Sequence, residues 1–270
     1  MLVAALRVSI RLPLFLIANA VLIAAYTLCL GPARRFRRPI QVLWCRIMQA
    51  LAGLRVRYIG APNPSGPTLW VANHVSYLDI AVLSRRLEAV FVAKSEVANW
   101  PLFGIIARLT GTVFVSRQPA LARVQREAIR RHLSAGGNLL LFPEGTSTDG
   151  SGVAPFKSSL MDIASARGTG NGPSVTVQPV SLAYTRDRAG VPLTGPRRAL
   201  YCWYGEMTLA PHLIRMLGQA GAEVDVRFHP PIRAEAFDDR KALARHCQAE
   251  VAAGVAAAHR LVTDLRQAAE

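Results

Sequence analysis

Short apolar runs alternate with amphipathic stretches along most of the chain, and this alternation restricts the fold more than any other feature. The runs with the length and composition of β-strands are 54–59, 67–72, 89–93, 112–115, 138–142, 175–184, 199–204 and 223–229. The predicted helices are 77–87, 100–109, 119–135, 158–166, 208–217 and 238–266. Strands that alternate with helices form a mostly parallel sheet flanked by helices. The sequence therefore predicts an α/β domain over residues 55–270, with its site beyond the carboxyl ends of the strands.

The segment before that domain is the most apolar part of the chain. Residues 12–30 are mainly apolar, and as a helix they would be about 28 Å long, close to the thickness of a bilayer core. A cleaved signal peptide would need an Ala-x-Ala site after this run. Arginines follow instead, at Arg34, Arg35, Arg37 and Arg38. Such a basic flank disfavours export of the chain that follows it.

A second helix is predicted over residues 39–54, where apolar side chains recur at intervals of three and four residues. This stripe fits a helix packed on a soluble core. It also fits a helical hairpin that dips into one leaflet or a true membrane span, and the sequence does not separate these two. Trp44 beside the arginines favours a membrane interface. We therefore predict a hydrophobic and amphipathic two-helix membrane motif over residues 1–54, with insertion into one leaflet and full spanning both open.

The formal net charge of +15 indicates that the protein binds anionic molecules. The arginines of the N-terminal segment precede the first acidic residue, Asp79, and flank the apolar run. A basic excess in that position suits anionic lipid head groups, and no zinc-finger, RNA-binding or basic-zipper pattern accompanies it. The cysteines are far apart, as in proteins of a reducing compartment. We expect membrane lipids and no nucleic acid as partners, at the inner (cytoplasmic) membrane with the catalytic domain facing the cytoplasm.

The stretch Asn73-His74-Val75-Ser76-Tyr77-Leu78-Asp79 follows a predicted strand and opens a predicted helix. His74 therefore falls at the carboxyl end of a strand, and Ser76 and Asp79 have the spacing of a helix capping box. In that geometry the Asp79 carboxylate can accept a hydrogen bond from one imidazole nitrogen of His74. The other nitrogen is then left as a base for an alcohol. The same spacing also fits residues that only cap the helix.

A second stretch, Phe142-Pro143-Glu144-Gly145-Thr146, also follows a predicted strand. Its glycine permits close approach of the backbone to a phosphate or an oxyanion, although Pro-Glu-Gly is ordinary turn composition as well. A third stretch, Gly111–Arg117, ends in a guanidinium group that can bind a phosphate. The histidines show no metal-ligand spacing, so we expect no metal site.

Four blocks of the sequence, taken in order, resemble the glycerolipid acyltransferase family, which includes the 1-acylglycerol-3-phosphate acyltransferases. They are Asn73–Asp79 for N-H-x-x-x-x-D, Gly111–Arg117 for G-x-x-F-[IV]-x-R, Phe142–Thr146 for F-P-E-G-T, and Val177–Val180 for V-x-P-V. Ala93-Lys94-Ser95-Glu96 matches a further Ala-Lys-x-Glu stretch of that family. The resemblance covers residues 73–180 and is looser beyond them.

This resemblance implies a role for particular residues. His74 would be the general base and Asp79 would orient it. Asn73 would hold the His74 loop in place and would count among the substrate-binding residues. Lys94 would lie near the reacting centre or the phosphate of the acceptor. The rest of the acceptor-binding region would comprise Arg117, Glu144, Gly145 and Thr146. No cofactor is implied, because acyl-CoA or acyl-carrier protein would be the co-substrate.

The activity implied by the resemblance is that of a membrane-bound O-acyltransferase. It would move a fatty-acyl group to the free hydroxyl of 1-acylglycerol-3-phosphate (lysophosphatidic acid), giving phosphatidic acid. However, Ser147 stands where family members often carry arginine. The stretches 147–150 and 156–159 are more similar to the branch that includes ornithine-lipid acyltransferases. The alternative acceptor is therefore a lyso-ornithine lipid or another lysophospholipid. A thioester hydrolase and a non-catalytic membrane scaffold are less favoured.

Overall fold

The structure, a computed structural model, describes residues 2–29, 31–115, 119–164 and 175–267. The α-helices are α1 (Leu2–Leu28), α2 (Arg37–Leu51), α3 (Leu78–Ser84), α4 (Phe103–Leu109), α5 (Pro119–Ser134), α6 (Ser158–Met161), α7 (Gly195–Arg198), α8 (Leu209–Leu217) and α9 (Arg240–Gln267). The strands are β1 (Arg55–Ile59), β2 (Thr68–Ala72), β3 (Val90–Lys94), β4 (Val113–Val115), β5 (Leu139–Leu141), β6 (Thr176–Asp187), β7 (Ala222–Phe228) and β8 (Ile232–Arg233).

The strands form one sheet in the order β1-β7-β6-β2-β5-β3-β4, with β8 paired to β6. Neighbouring strands are parallel except in the β6–β7 and β6–β8 pairs. Alternate side chains of the buried strands point to opposite faces of the sheet. One face packs against α1, α2, α3 and α8, and the other packs against α5, α6 and α9. The prediction of a mostly parallel α/β sheet flanked by helices is confirmed.

The predicted strand at 199–204 is wrong. The chain turns immediately after α7, where the backbone amides of Tyr201 and Cys202 both donate to the carbonyl oxygen of Arg198, at 2.9 and 3.0 Å. Tyr201 and Cys202 are buried in the core on the α1 face of the sheet. The residues of this run are therefore apolar because they pack beneath the sheet, and they do not pair with another strand.

The N-terminal helices pack on the α/β domain. Among the described residues, α1 is the one helix long and apolar enough to cross a membrane by length and composition. Its side chains at Phe15, Asn19 and Leu22 are buried, and it packs against α2, α4 and α8. Near its start, Arg11 Nη1 donates to the carbonyl oxygens of Leu217 (3.1 Å) and Gln219 (2.7 Å). An arginine in this position satisfies carbonyl groups at the carboxyl end of α8.

We expect Gly53→Ala to destabilise the protein more than Gly66→Ala, although the two glycines have nearly the same φ, +68° and +69°. A Cβ on Gly53 would lie 2.6 Å from the carbonyl oxygen of Ala220 and 2.8 Å from Cα of Gly221, whereas nothing lies within 4 Å of a Cβ on Gly66. The left-handed backbone costs either alanine about 1 kcal/mol, and the clash adds about 1–3 kcal/mol at Gly53 only. Thermal unfolding of both variants measures the difference. Equal losses of Tm would contradict the close approach of the α2–β1 turn to the start of β7.

Candidate active site

Those predicted site residues that the structure describes lie at the carboxyl ends of the strands, because parallel strands place these ends side by side. His74 follows β2, Glu144 follows β5, and Lys94 is the last residue of β3. Lys94 is exposed and lies opposite Val115 of β4. Arg117, which the sequence also assigns to the site, lies outside the described residues.

His74 and Asp79 form a hydrogen-bonded pair, with 2.8 Å between Nδ1 of the imidazole and Oδ2 of the carboxylate. The Asp79 side chain has no exposed surface, and that of His74 is 20% exposed. The backbone amides of Val75 and Ser76 also donate to Oδ2, at 2.8 and 3.0 Å. Nε2 of His74 makes no hydrogen bond to any residue within the described ranges, so it is the nitrogen available to a substrate hydroxyl.

The loop after β5 holds the His74 backbone on both sides. The His74 amide donates to Oε1 of Glu144 at 2.6 Å, and the Thr148 amide donates to the His74 carbonyl oxygen at 2.9 Å. The imidazole ring also stacks on Phe142, with ring centroids 4.1 Å apart and planes 16° apart. Backbone and ring are thus fixed by the same block of sequence, residues 142–148.

Asn73 is buried, and its amide group pairs with the backbone of β6. Nδ2 of Asn73 donates to the Leu182 carbonyl oxygen at 2.8 Å, and the Leu182 amide donates to Oδ1 of Asn73 at 2.8 Å. These two hydrogen bonds connect the end of β2 to β6 just before His74. Asn73 therefore touches the protein backbone, and a role toward substrate stays a prediction.

The Pro-Glu-Gly-Thr turn presents different residues inward and outward. Glu144 is 2% exposed, and its second oxygen, Oε2, accepts a hydrogen bond from the Ala154 amide at 2.8 Å. Thr146 is exposed and Gly145 is half-buried. A Cβ on Gly145 would lie 2.8 Å from Nζ of Lys157, so this ammonium group lies over the turn. The predicted acceptor-binding roles of these residues are not tested by the geometry.

We expect Glu144→Gln to change how stability depends on pH. Burial raises the pKa of Glu144 from 4.5 to about 7. Between pH 4.5 and 7 the folded protein thus keeps a proton that the unfolded chain has released, so this group makes the free energy of unfolding fall as pH rises through that window. The loss amounts to about 3 kcal/mol, and the uncharged glutamine does not incur it. The Tm of the variant relative to wild type is therefore expected to increase from pH 5 to pH 7.5.

The control for this pH dependence is Glu206→Gln, since Glu206 is an exposed carboxylate. A glutamine at position 144 also places an NH₂ or a carbonyl group toward the Ala154 amide, which shifts Tm by an amount that does not vary with pH. The prediction therefore concerns only how the Tm difference between variant and wild type changes from pH 5 to pH 7.5. A Tm difference that is the same at pH 5 and pH 7.5 would contradict the raised pKa.

Apart from the His74–Asp79 pair, a serine, a histidine and a carboxylate lie close together on the opposite face of β6. Oγ of Ser181 is 2.6 Å from Nε2 of His229, and Nδ1 of His229 is 3.3 Å from Oε2 of Glu250. Helix α9 covers this serine: Oγ donates to the Val251 carbonyl oxygen at 2.9 Å, and a Cβ on Gly254 would lie 2.2 Å from it. Because the Ser181 hydroxyl donates to that carbonyl oxygen, its proton is not directed at His229, and the arrangement connects α9 to the sheet.

Two contacts of the site involve residues that the sequence did not single out. The phenol of Tyr184 donates to Oδ1 of Asp79 at 3.2 Å, and the Trp203 amide donates to the Val75 carbonyl oxygen at 2.8 Å. Tyr184 lies four residues after Val180, so the two-residue period of a strand places both on the same face of β6, but nothing in the sequence pairs Tyr184 with Asp79. Trp203 lies within the run 199–204 that was predicted as a strand, and no sequence signal identified its contact with Val75. Within the described ranges, no three His, Cys, Asp or Glu residues form a group that could hold a metal ion.

Comparison with known proteins identifies the family. The family model described as Acyltransferase matches residues 55–183. The lyso-ornithine lipid O-acyltransferase of Brucella abortus (strain 2308) is 41% identical over 220 residues, which cover 81% of this chain and 82% of that protein. The protein of the same name in Rhizobium meliloti (strain 1021) is 38% identical over 242 residues, or 88% of this chain and 82% of that protein.

A more distant relative carries the name of an acyltransferase, and one solved structure has the same fold. The 1-acyl-sn-glycerol-3-phosphate acyltransferase of Neisseria gonorrhoeae is 33% identical over 214 residues, covering 77% of this chain and 78% of that protein. The crystal structure of the 1-acyl-sn-glycerophosphate (LPA) acyltransferase PlsC from Thermotoga maritima has the same fold, with a TM-score of 0.59 over 93% of this chain and 98% of that one at 20% identity. The chain therefore belongs to the acyltransferase family and is an enzyme of that type.

Proposed function

We propose that the enzyme transfers a fatty-acyl group from an acyl thioester to the free hydroxyl of a lyso-ornithine lipid. The observation that carries the chemistry is the His74–Asp79 pair, in which Nδ1 is bound at 2.8 Å and Nε2 has no partner among the described residues. An imidazole held in this way has one nitrogen ready to accept a proton, and its carboxylate partner stabilises the imidazolium that forms.

The proposed reaction proceeds in two proton transfers. Nε2 of His74 removes the proton from the acceptor hydroxyl while the oxygen attacks the carbonyl carbon of the thioester. The tetrahedral intermediate then collapses, the carbon–sulfur bond breaks, and the imidazolium returns its proton to the leaving thiolate. Backbone amides of the Gly145 turn, together with Lys94, are the groups that we propose for the oxyanion. The acyl group passes directly to the acceptor, so no acyl-enzyme is required.

The choice of acceptor is supported by the relatives and by one position in the site. Two relatives named lyso-ornithine lipid O-acyltransferase are 38% and 41% identical to this chain. The 1-acyl-sn-glycerol-3-phosphate acyltransferase of Neisseria gonorrhoeae is 33% identical. Ser147 occupies the position where the glycerophosphate-type family often has arginine. An ornithine head group has no phosphate, so a site for it does not require that guanidinium group.

Lys157 is the cation that we propose for the carboxylate of such a head group. Its Nζ lies over Gly145, and among the described residues it forms no ion pair. Glu144 lies in the same turn, but burial raises its pKa to about 7, so below that pH it carries no charge that would neutralise Lys157. A lysine provides a single charge without the bidentate geometry that arginine offers to a phosphate.

We further propose that the N-terminal helices attach the enzyme to one leaflet of a membrane. The large apolar side chains that are exposed lie on α1, α2, α4, α8 and the turn at Pro32–Phe36, and only Leu261 lies elsewhere among the described residues. An exposed apolar surface of this extent fits a lipid environment. Because α1 packs against α4 and α8 of the domain, leaflet insertion suits it better than an isolated span. An inner-membrane location facing the cytoplasm stays part of the proposal.

The second candidate acceptor is 1-acylglycerol-3-phosphate, on which the matched Neisseria gonorrhoeae protein acts by its name. The same His74–Asp79 chemistry would serve it, with Lys94, Arg117 and Thr146 as predicted contacts of the phosphate. Hydrolysis of the thioester by water would use the same base and differs only in the acceptor.

The test is acyl transfer by the purified, detergent-solubilised protein. Labelled acyl-CoA and labelled acyl-carrier protein are each offered with lyso-ornithine lipid, with 1-acylglycerol-3-phosphate, and with no acceptor. We expect product from lyso-ornithine lipid and little thioester loss without an acceptor. Product from 1-acylglycerol-3-phosphate alone would replace the proposed acceptor. Acceptor-independent thioester loss would indicate a hydrolase.

A further inference from the structure

The two oxygens of the Asp79 carboxylate have unequal surroundings. Oδ2 accepts its hydrogen bonds from groups of the adjacent loop, namely His74 Nδ1 and the amides of Val75 and Ser76. Within the described part of the chain, the donor to Oδ1 is the phenol of Tyr184 on β6, at 3.2 Å. The terminal torsion of an aspartate is broad. Loop donors at one oxygen therefore leave the carboxylate plane less restricted than donors at both oxygens.

The position of Tyr184 is set by the sheet and by ring packing. Its side chain is 2% exposed, and its ring stacks on Tyr201 with centroids 6.3 Å apart and planes 20° apart. The β6–β7 register shifts directly after it: Tyr184 lies opposite Val224, and Arg186 lies opposite Glu223. A bulge of this kind re-aims side chains and is frequent beside active sites. Burial raises the pKa of the Tyr184 phenol well above its usual value, so the group stays a neutral donor.

We propose that Tyr184 is a positioning residue that holds the Asp79 carboxylate with Oδ2 facing His74 Nδ1. Tyr184 lies outside the four sequence blocks and acts through Asp79 without touching substrate. The inference rests on the acyl-transfer part of the proposed function and is independent of which lysolipid is the acceptor. Without the phenol, Oδ1 would be a buried acceptor with no partner, and the carboxylate would turn away from the orientation that His74 requires.

The test compares Tyr184→Phe with Tyr201→Phe. Both variants lose one phenolic oxygen from the same ring stack, but the Tyr201 hydroxyl accepts from the Gly221 amide at 3.1 Å and is not bonded to Asp79. We expect kcat of Tyr184→Phe to fall about tenfold, with KM for donor and acceptor unchanged. Tyr201→Phe is expected to keep kcat. A merely structural role would instead alter Tm, KM and kcat together in both variants.

A second readout does not depend on the substrate. The proton between His74 Nδ1 and Asp79 gives a low-field ¹H NMR signal, which is assigned by its loss in His74→Ala. We expect this signal to move in Tyr184→Phe and to stay in Tyr201→Phe. An unchanged signal in Tyr184→Phe would overturn the positioning role even if wild type proved inactive on both lysolipids. A moved signal in a protein without transferase activity would retain the positioning role and reject the proposed function.

Discussion

His74→Ala is expected to lower kcat of acyl transfer by about 10³-fold, because a positioned base contributes about 10²- to 10⁴-fold. The substitution removes Nε2. Of the two ring nitrogens of His74, this is the one without a hydrogen-bond partner among the described residues. It leaves Asp79 with the amides of Val75 and Ser76 and the phenol of Tyr184 as donors. The buried carboxylate therefore stays solvated by the protein, and the fold is expected to persist. Initial rates at saturating donor and acceptor measure the effect.

The matched control for this loss is His246→Ala. His246 is half-buried and contacts the ring of Phe237, with centroids 5.1 Å apart, on the far side of the sheet from Asp79. We expect this variant to keep the wild-type rate. Tm and vesicle binding of both variants show whether each remains folded and attached. A His74→Ala enzyme that is folded and within tenfold of the wild-type rate would reject His74 as the base.

The alternation of apolar runs predicted the central sheet because these strands are buried on both faces. Leu69, Val71 and Leu139 are examples: each is apolar and has no exposed surface. The run at 199–204 has the same composition, and yet it forms a turn under the sheet. Composition reports burial, and a buried turn cannot be told from a buried strand without knowing which backbone partners are free. The antiparallel pairing of β7 with β6 is likewise a property of topology that composition does not report.

The pairing of His74 with Asp79 could be predicted from spacing, because both lie in one loop and the first helical turn that follows it. The inward position of Glu144 could not, since it depends on the Ala154 amide ten residues further along the chain. The same limit applies to Tyr184, which is 105 positions from Asp79. Contacts of this kind are set by the order of strands in the sheet, and a local motif carries no information about that order.

Asp79→Asn is expected to lower kcat by about 10³-fold as well. The equivalent exchange in Ser-His-Asp triads costs about 10⁴-fold. The asparagine oxygen can still accept the amides of Val75 and Ser76, and its NH₂ can donate to the Tyr184 oxygen, so the fold is retained. What is lost is the negative charge that stabilises the imidazolium of His74. Asp79→Ala differs because it leaves these buried donors unpaired, and we expect it to lower Tm in addition.

The double variant His74→Ala/Asp79→Asn shows whether Asp79 acts through His74. If it does, removing the charge has no further effect once the imidazole is absent, and the double variant is expected to be as slow as His74→Ala and no slower. Groups that work as one unit are strongly non-additive in this sense. Losses that multiply to about 10⁶-fold would mean that each group contributes separately. Asp79 would then act on the substrate itself, and the dyad mechanism would have to be abandoned.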